Sequence, residues 1–336
     1  MKKFTSIDYL RAISMVYIVA YWHLFDYADA SLGHDIVAMN LVTHVVLAIF
    51  VFISGFLIGG KSTQKMNVKQ FYLRRLLRIY PLYALAVIIF YLAGINDGWT
   101  SVKALLGVSM YFGPAPLTLW FITMLVLFYF ITPLLLLLVD NRLAYAAFAF
   151  SLLMGTIIIM LAFNTVDPRI ILYFPSFCLG IFCAHHGVTN RLANPLVIGA
   201  VFVLCAPLAF MTFSIETLNY LKQVPLIACA AYLVFYFCWR HERRFKSAAI
   251  ISFLAYSSYA IYLFHRPVFN SLKALYFPQA DLFQVLYLQT VGFILVALVA
   301  WGLQKIYDVF YKRVSARLDE GQPTFDERVA ARRAAR

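Results

Sequence analysis

Apolar segments long enough to cross a membrane recur along the whole chain, separated by short polar stretches. A transmembrane helix needs about 20 predominantly apolar residues, and ten segments come close to that length. They are residues 8–27, 36–59, 77–93, 117–139, 143–163, 169–187, 195–213, 223–239, 249–267 and 283–304. This pattern predicts an all-α polytopic membrane protein with about ten transmembrane helices around a central pore-like site.

A shorter stretch and a set of prolines add detail to this prediction. The apolar stretch 104–113 is too brief to span. We expect it to lie at the membrane interface, to re-enter the membrane, or to lengthen the fourth helix. Six of the ten segments contain a proline, which transmembrane helices tolerate when neighbouring helices satisfy the freed carbonyl groups. These prolines are Pro81, Pro133, Pro175, Pro207, Pro225 and Pro267.

The composition excludes a soluble protein. Of the 336 residues, 63% are hydrophobic and only 13% are charged, and the mean hydropathy is +0.80. No soluble core of this size needs such values. The five cysteines lie inside apolar segments, with neither a CxxC pair nor a metal-like His/Cys spacing. We interpret them as buried small hydrophobic residues and predict no metal site.

The net charge of +13 is explained by topology. If the N-terminus is cytoplasmic and the number of helices is even, 23 of the 28 Lys and Arg lie on the inner side. The basic residues left outside are Lys103, Arg169, Lys222, Arg266 and Lys273. The positive-inside rule therefore predicts two cytoplasmic termini, and the charge gives no reason to expect nucleic acid as a partner.

One membrane domain is expected over residues 1–311, followed by a polar cytoplasmic tail over residues 312–336. The tail has mixed charge and no sustained apolar stripe. Contact with anionic lipid is expected from Lys312, Arg313 and Arg317. The first segment also resembles a signal peptide with a cleavage motif at 28–30, but Asp8 and Arg11 beside its apolar run argue against cleavage.

The first segment also carries the strongest candidates for chemistry. Arg11 lies near its start and His23 lies twelve residues later, about 18 Å along an α-helix. An ionisable group at such depth costs several kcal/mol unless it faces a protein interior or a wet cavity, so His23 is a functional-site candidate. The alternative is that His23 only hydrogen-bonds a neighbouring helix. Asp26, three residues further on, is expected to orient the imidazole.

Three arginines at the start of the third helix form a second candidate. Arg74, Arg75 and Arg78 are spaced so that Arg78 shares a helical face with each of the other two. Guanidinium groups on one face bind phosphate oxygens in bidentate fashion, which suits a phosphorylated substrate arriving from the cytoplasm. The alternative is an ordinary positive-inside anchor, which the spacing alone favours.

Two further helices carry weaker signals. Ser54 and Gly55 interrupt an apolar run, and small residues there favour close helix packing over ligand contact. Trp120 and Tyr129 share an apolar segment and are placed either to line a pore or to sit in an interfacial aromatic belt.

The ninth segment carries a polar stripe. Ser258, Tyr262 and His265 follow one another at intervals of four and three residues, which places them on one helix face. Such a stripe in a membrane helix lines water or a substrate more often than it faces lipid. His185 and His186, by contrast, sit at a helix end, where a polar side chain reaches water without any special purpose.

Five stretches taken together are similar to the membrane acyltransferase 3 family, whose members O-acylate carbohydrates and other acceptors. The stretches are IDYLRAISMVYIVAYWH (7–23), FVFISGFLI (50–58), FYLRRLLRIYPLY (71–83), LWFITMLVLFYFITPLL (119–135) and SYAIYLFHRPV (258–268). They follow the family's order and its ten-helix plan. The resemblance implies a functional core made of an Arg and a His on the first helix and an RxxR on the third. Here these are Arg11, His23, Arg75 and Arg78.

Two positions depart from the family's pattern. The usual interval from Arg to His is eleven residues, and here it is twelve. On a regular helix the extra residue rotates the two groups about a third of a turn apart, and a bulged turn would restore their alignment. Many relatives also carry a Glu after the Trp of the fourth helix, where this chain has Ile122-Thr123-Met124. Any role of that Glu is absent here.

The resemblance and the residues together predict an O-acetyltransferase. It would move an acetyl group from cytoplasmic acetyl-CoA to a hydroxyl of an extracytoplasmic or lipid-linked glycan. His23 is expected to act as general base or to carry the acetyl group covalently, with Asp26 orienting it. The phosphates of coenzyme A are expected to bind Arg11, Arg75 and Arg78. Contact with the acceptor is expected from Trp120, Tyr129, Ser258, Tyr262 and His265.

The expected location is the cytoplasmic membrane of a bacterium, with membrane lipids as further partners. A different class of function stays open, because a transporter or flippase for a glycan or lipid also needs a polar pathway with ionisable residues at depth. Ten helices without a detectable internal repeat argue mildly against the commonest transporter plans. A regulatory membrane protein that has lost catalysis is a third alternative, which the altered Arg-to-His interval keeps open.

Overall fold

The computed structural model describes residues 4–28, 37–60, 67–163 and 165–320, and it is helical throughout, with no β-strand in these ranges. The first helices are α1 (Thr5–Tyr17), α2 (Val37–Gly59), α3 (Val68–Leu92), α4 (Gly98–Leu105), α5 (Trp120–Leu138) and α6 (Arg142–Phe163). The later helices are α7 (Arg169–His186), α8 (Pro195–Phe210), α9 (Glu216–Leu221), α10 (Val224–Arg240), α11 (Ala249–Leu275), α12 (Asp281–Tyr287) and α13 (Phe293–Glu320). The predicted all-α class is confirmed.

Short irregular turns extend or join some of these helices. α1 continues without a break into a π turn over Ile18–Trp22 and a 3₁₀ turn over His23–Asp26. A second π turn, Leu288–Gly292, joins α12 to α13. A 3₁₀ turn, Glu242–Arg244, follows α10. Each of the ten predicted apolar segments falls largely on helical structure.

Six helical segments are long and apolar enough to cross a membrane, judged by length and composition over the described residues. They are Val37–Gly59, Val68–Leu92, Trp120–Leu138, Arg142–Phe163, Thr217–Arg240 and Asp281–Ala316. Large apolar side chains on them are exposed, among them Leu137 at 76% and Leu143 at 80%. Such a surface is stable when lipid rather than water covers it. The chain is therefore an integral membrane protein, while ten crossings and the orientation of the termini stay predictions.

Glycines let α2 and α7 pack backbone to backbone. A Cβ atom on Gly55 would lie 2.2 Å from the carbonyl oxygen of Phe177, and a Cβ atom on Gly180 would lie 2.2 Å from that of Phe52. No side chain fits into such a gap, so this close approach requires glycine on both helices. The packing role predicted for the small residues of this stretch is confirmed for Gly55.

A tyrosine hydroxyl from another helix compensates for a proline in α3. Pro81 has no N–H group, so the carbonyl of Leu77, one turn earlier, loses its usual partner within the helix. The hydroxyl of Tyr307 on α13 donates a hydrogen bond to that carbonyl. Tyr259 on α11 donates to the nearby carbonyl of Ile79 at 2.7 Å. The expectation that neighbouring helices satisfy freed carbonyl groups is met at this proline.

The short stretch 104–113 does not form a spanning helix, as its length predicted. α4 ends at Leu105, and turns follow it. The hydroxyl of Tyr80 on α3 donates to the Leu105 carbonyl at 2.8 Å, and Lys103 donates to the Gly113 carbonyl at 2.7 Å. The first bond holds the stretch against α3, and the second joins α4 to the far end of the stretch.

Two helices extend beyond the apolar segments predicted from the sequence. α11 continues past Pro267, where the ninth segment ends, to Leu275. α13 continues past residue 304, where the tenth segment ends, as far as Glu320, and the division of the chain at residue 311 stays a prediction. α13 continues because its last turns contain neither Gly nor Pro and are rich in helix-forming residues. The inner basic residues Lys2, Lys3, Lys61 and Lys65, the part of the cleavage motif formed by Asp29 and Ala30, and residues 321–336 of the predicted tail lie outside the described residues.

Candidate active site

Contacts at both ends fix the first helix in place. At its start, the Glu242 carboxylate accepts hydrogen bonds from the backbone N–H groups of Thr5 at 2.6 Å and Ser6 at 3.1 Å. These bonds satisfy two N–H groups that have no partner within the helix, and the negative charge suits the helix N-terminus. At the other end, the Asp26 carboxylate forms an ion pair with Arg266 of α11. The helix that carries the predicted site residues is therefore anchored twice.

Arg11 and His23 face the same neighbouring helix, α11. Arg11 Nη2 donates a hydrogen bond to Ser258 Oγ at 2.9 Å. The rings of His23 and His265 are stacked, with centroids 4.8 Å apart and planes within 4°. Ser258 and His265 are two turns apart on one face of α11. The π turn over Ile18–Trp22 lies between Arg11 and His23. A π turn contains one residue more than an α turn, so it accommodates the extra residue of the twelve-residue interval and keeps both side chains on the side of α11.

Arginines gather around Tyr129 at the Arg11 end of this arrangement. The Arg75 guanidinium lies over the Tyr129 ring, 5.3 Å from its centroid. The Arg11 guanidinium is close enough to Arg78, Tyr129 and Asp8 to interact with them electrostatically. We call Arg11, Arg75 and Arg78 the arginine cluster. Three guanidinium groups in one region make the cluster suited to an anionic ligand.

At the other end, His265 is held rigidly beside His23. Its side chain is fully buried, and its Nδ1 donates a hydrogen bond to the Tyr262 carbonyl at 2.8 Å. The Tyr262 hydroxyl in turn donates to the Thr118 carbonyl at 2.6 Å. Since Nδ1 carries the proton in this bond, Nε2 of a neutral His265 is an acceptor. The pair therefore consists of one enclosed imidazole and one, His23, that is partly exposed.

A cavity of about 470 Å³ opens beside His23. Its walls come from the end of the first helix and from α2, α5, α7, α9 and α11, together with the loop before α7. The lining includes Trp22, His23, His44, Trp120, Arg169 and Tyr262. We call this space the histidine cavity. Its volume is within the range of small-molecule sites, and its lining mixes aromatic rings with polar groups.

The predicted site residues divide between these two places. Arg11, Arg75 and Arg78 form the arginine cluster, and Tyr129 and Ser258 lie with them. His23, Trp120 and Tyr262 line the histidine cavity, while His265 is buried against His23 and is not among the described lining residues. Asp26 pairs with Arg266, which fixes the turn after His23. The predicted acceptor-binding set is therefore not one cluster in space.

Sequence reasoning missed the polar residues on the far wall of the histidine cavity. His44 on α2 lines the cavity, and its Nδ1 lies 2.7 Å from the Tyr173 hydroxyl. Asp167 and Arg169 also line it and pair through Arg169 Nε at 2.8 Å and a second bond from Nη2. The Arg169 guanidinium lies 4.0 Å from the centroid of the Trp120 ring. A histidine inside an apolar segment was the signal available for His44, since the rule that singled out His23 applies to it equally.

These features define an integral membrane protein with ionisable side chains enclosed among its helices. The family model of an acyltransferase domain, Acyl_transf_3, matches residues 4–305, and the chain therefore belongs to the membrane acyltransferase 3 family. Every site residue described above lies inside the match. The resemblance drawn from the sequence is confirmed, and the protein is a membrane acyltransferase. No curated protein and no solved structure matches the chain significantly.

Proposed function

We propose that this acyltransferase moves an acetyl group from acetyl-CoA to a hydroxyl of an extracytoplasmic or lipid-linked glycan, in the cytoplasmic membrane of a bacterium. The observation that carries the proposal is the stacked His23–His265 pair beside the histidine cavity. An imidazole that is open to a cavity and held in position on one side has the geometry of a general base. The arginine cluster, with Arg11 on the same helix as His23 and Arg75 and Arg78 on α3, supplies the second requirement, a site for an anionic donor.

In the proposed reaction, His23 carries out the proton transfer. Its neutral imidazole takes the proton of the acceptor hydroxyl while the oxygen attacks the thioester carbonyl carbon, and the carbonyl electron pair moves onto its oxygen. When that pair returns, the C–S bond breaks. The imidazolium proton passes to the departing thiolate, so the products are an ester and free coenzyme A. In the covalent variant, the His23 nitrogen attacks the thioester first, the C–S bond breaks, and the thiolate leaves with the imidazole proton. The acceptor hydroxyl then attacks the acetyl-imidazole, and its proton returns to the imidazole as the C–N bond breaks.

The arginine cluster is proposed to hold the phosphates of the donor. Coenzyme A carries its phosphates at one end of a long flexible arm and its thioester at the other. Arg11 and His23 are separated along the first helix by about 18 Å of helical rise, so a donor anchored at the cluster extends its thioester toward the cavity. Arg75 is held in the cluster by its contact with the Tyr129 ring, and Arg11 by its hydrogen bond to Ser258.

The histidine cavity is proposed to receive the acceptor. A saccharide presents hydroxyl groups around an apolar ring face, and the cavity offers both aromatic rings and polar groups, with Trp120 and Asp167 among them. The Asp167–Arg169 pair leaves this wall without net charge, which suits a neutral ring better than an anionic one.

Release of free coenzyme A by the purified protein in detergent tests this proposal. We expect acetyl-CoA to be consumed slowly with water as acceptor, and trapping of an acetylated protein without acceptor would select the covalent variant. A transporter, the alternative function, would release no coenzyme A under any condition. Mass spectrometry of surface glycans with and without the gene then identifies the acceptor. An unchanged set of acetylated glycans would contradict the proposed acceptor class.

A further inference from the structure

The histidine cavity contains a second imidazole whose role the proposed reaction does not yet use. His44 comes from α2 and faces the same space as His23, which comes from the end of the first helix. Both side chains therefore have access to a thioester bound in a cavity of about 470 Å³. An acyl transfer needs a base on the attacking side and a hydrogen-bond donor for the oxygen that becomes negative.

The contact with Tyr173 determines which nitrogen of His44 carries the proton. Tyr173 is fully buried, and among the described residues its hydroxyl bonds only to His44 Nδ1, at 2.7 Å. A buried O–H group without an acceptor is costly, so the tyrosine donates its hydrogen to Nδ1. Nδ1 then has no proton, and the neutral ring carries its hydrogen on Nε2. Because Nδ1 is turned to Tyr173, Nε2 is the nitrogen left for the cavity.

The other strong donor of this wall, Arg169, is paired with a carboxylate. Arg169 uses Nε and Nη2 to bind the Asp167 carboxylate, which also compensates its charge. Its guanidinium is further held over the Trp120 ring. Of the two, only His44 directs a neutral and oriented N–H group at the cavity.

We propose that His44 is the oxyanion donor of the acyl transfer, an inference that rests on the proposed function. As the acceptor oxygen attacks, the thioester carbonyl oxygen gains an electron pair, and the His44 Nε2–H group donates a hydrogen bond to it without giving up its proton. When the pair returns and the C–S bond breaks, the hydrogen bond weakens again. Tyr173 is a positioning residue, because it fixes the tautomer of His44 and touches no reacting atom.

The test compares variants of the full-length protein in detergent, with release of coenzyme A from acetyl-CoA as the readout. His44→Phe keeps a ring but removes the donor, and His44→Gln keeps an N–H donor. We expect His44→Phe to lower kcat about 10² to 10³-fold, the usual cost of one oxyanion donor, with KM for acetyl-CoA nearly unchanged. His44→Gln should recover part of this loss. His241→Gln is the matched control, since His241 follows the last residue of α10 and its Nδ1 bonds the Phe237 carbonyl of that helix.

Tyr173→Phe keeps the proposal testable if the His44 variants do not fold. It removes one hydroxyl and should lower kcat less than His44→Phe while gel filtration shows an intact protein. Unchanged kcat in His44→Phe or in Tyr173→Phe would overturn the assignment. A rise in KM for an added acceptor, with normal release of coenzyme A into water, would make His44 an acceptor-binding residue instead. A wild-type protein that releases no coenzyme A would contradict the proposed function itself.

Discussion

At the scale of single residues, His23 and His265 compete for the role of base. His23 lines the cavity, while His265 is fully buried and its Nδ1 is bound to a backbone carbonyl. We predict that His23→Ala abolishes transfer and leaves the protein inserted and folded. Loss of a general base typically lowers the rate by about 10² to 10⁴. Release of coenzyme A by the purified variant measures this loss.

The companion variant His265→Ala separates the two histidines. Because His265 supports the His23 ring rather than the substrate, we expect partial activity in this variant. The assignment of the base is wrong if His23→Ala keeps near-normal turnover and His265→Ala loses it. In that case the first helix is only a wall of the cavity.

The arginine cluster gives a second prediction at this scale. Removal of a charge-assisted phosphate contact costs roughly 1.5–3 kcal/mol, or about ten- to a hundredfold in affinity. Arg75→Ala and Arg78→Ala should therefore weaken binding of acetyl-CoA by about that factor and affect the acceptor less. Calorimetric titration of the purified protein with coenzyme A measures it. Arg142→Ala, an exposed charge at the start of α6, is the matched control, and equal affinity in all three variants would make the cluster an ordinary positive-inside anchor.

Depth within an apolar segment was the sequence signal for a candidate residue, and the role of His23 stays a prediction. His23 could be identified because an imidazole far along an apolar helix is costly without a partner. His44 meets the same condition, but its importance depends on Tyr173, which is distant in sequence. The sequence marked Arg169 only as an outer basic residue and gave no signal for Asp167, since nothing local shows that the start of α7 lines the cavity. Contacts between distant segments account for these omissions.

At the scale of elements, the π turn in the first helix explains an interval that the sequence left ambiguous. A regular helix would turn Arg11 and His23 away from one another by the extra residue. With the π turn, both contact α11. The turn could be anticipated as a possibility but not located, because the residues IVAYW carry no proline or glycine that marks a distortion. Contacts with α11, such as the Asp26–Arg266 pair, hold it in place.

The contact between α2 and α7 supports a prediction about stability. A Cβ atom on Gly180 would lie 2.2 Å from a backbone oxygen that cannot move aside. Gly180→Ala should therefore destabilise the protein by about 1–3 kcal/mol, the usual cost of overpacking a tight contact. A lower melting temperature in detergent is the expected result.

Gly199 on α8 provides the control for this substitution. A Cβ atom there meets nothing within 4 Å, so Gly199→Ala should leave the melting temperature unchanged or raise it, because alanine favours the helix by roughly 0.5–1 kcal/mol. Equal effects of the two substitutions would mean that the close approach of α2 and α7 does not depend on glycine.

At the scale of the whole molecule, hydropathy was enough to predict an all-α membrane protein, and motif order was enough to predict its family. A lipid-facing helix can be recognised from its composition, because the side chains that contact lipid have to be apolar. The arrangement of helices was not predictable in this way. The histidine cavity joins residues as distant as Trp22 and Tyr262, and periodicity within one segment does not reveal which segment lies beside it.

The distribution of basic residues predicts how the protein is oriented in the membrane. With two cytoplasmic termini, 23 of the 28 basic residues lie inside, and no other orientation of an even set of helices gives this asymmetry. Single cysteines placed at Lys69 and at Trp99 test it, since both side chains are exposed, Lys69 lies at the start of α3 and Trp99 lies beyond its other end. A membrane-impermeant thiol reagent added to intact cells should label position 99 and spare position 69. Labelling of position 69 from outside would invert the topology and would place the arginine cluster on the side where acetyl-CoA is not made.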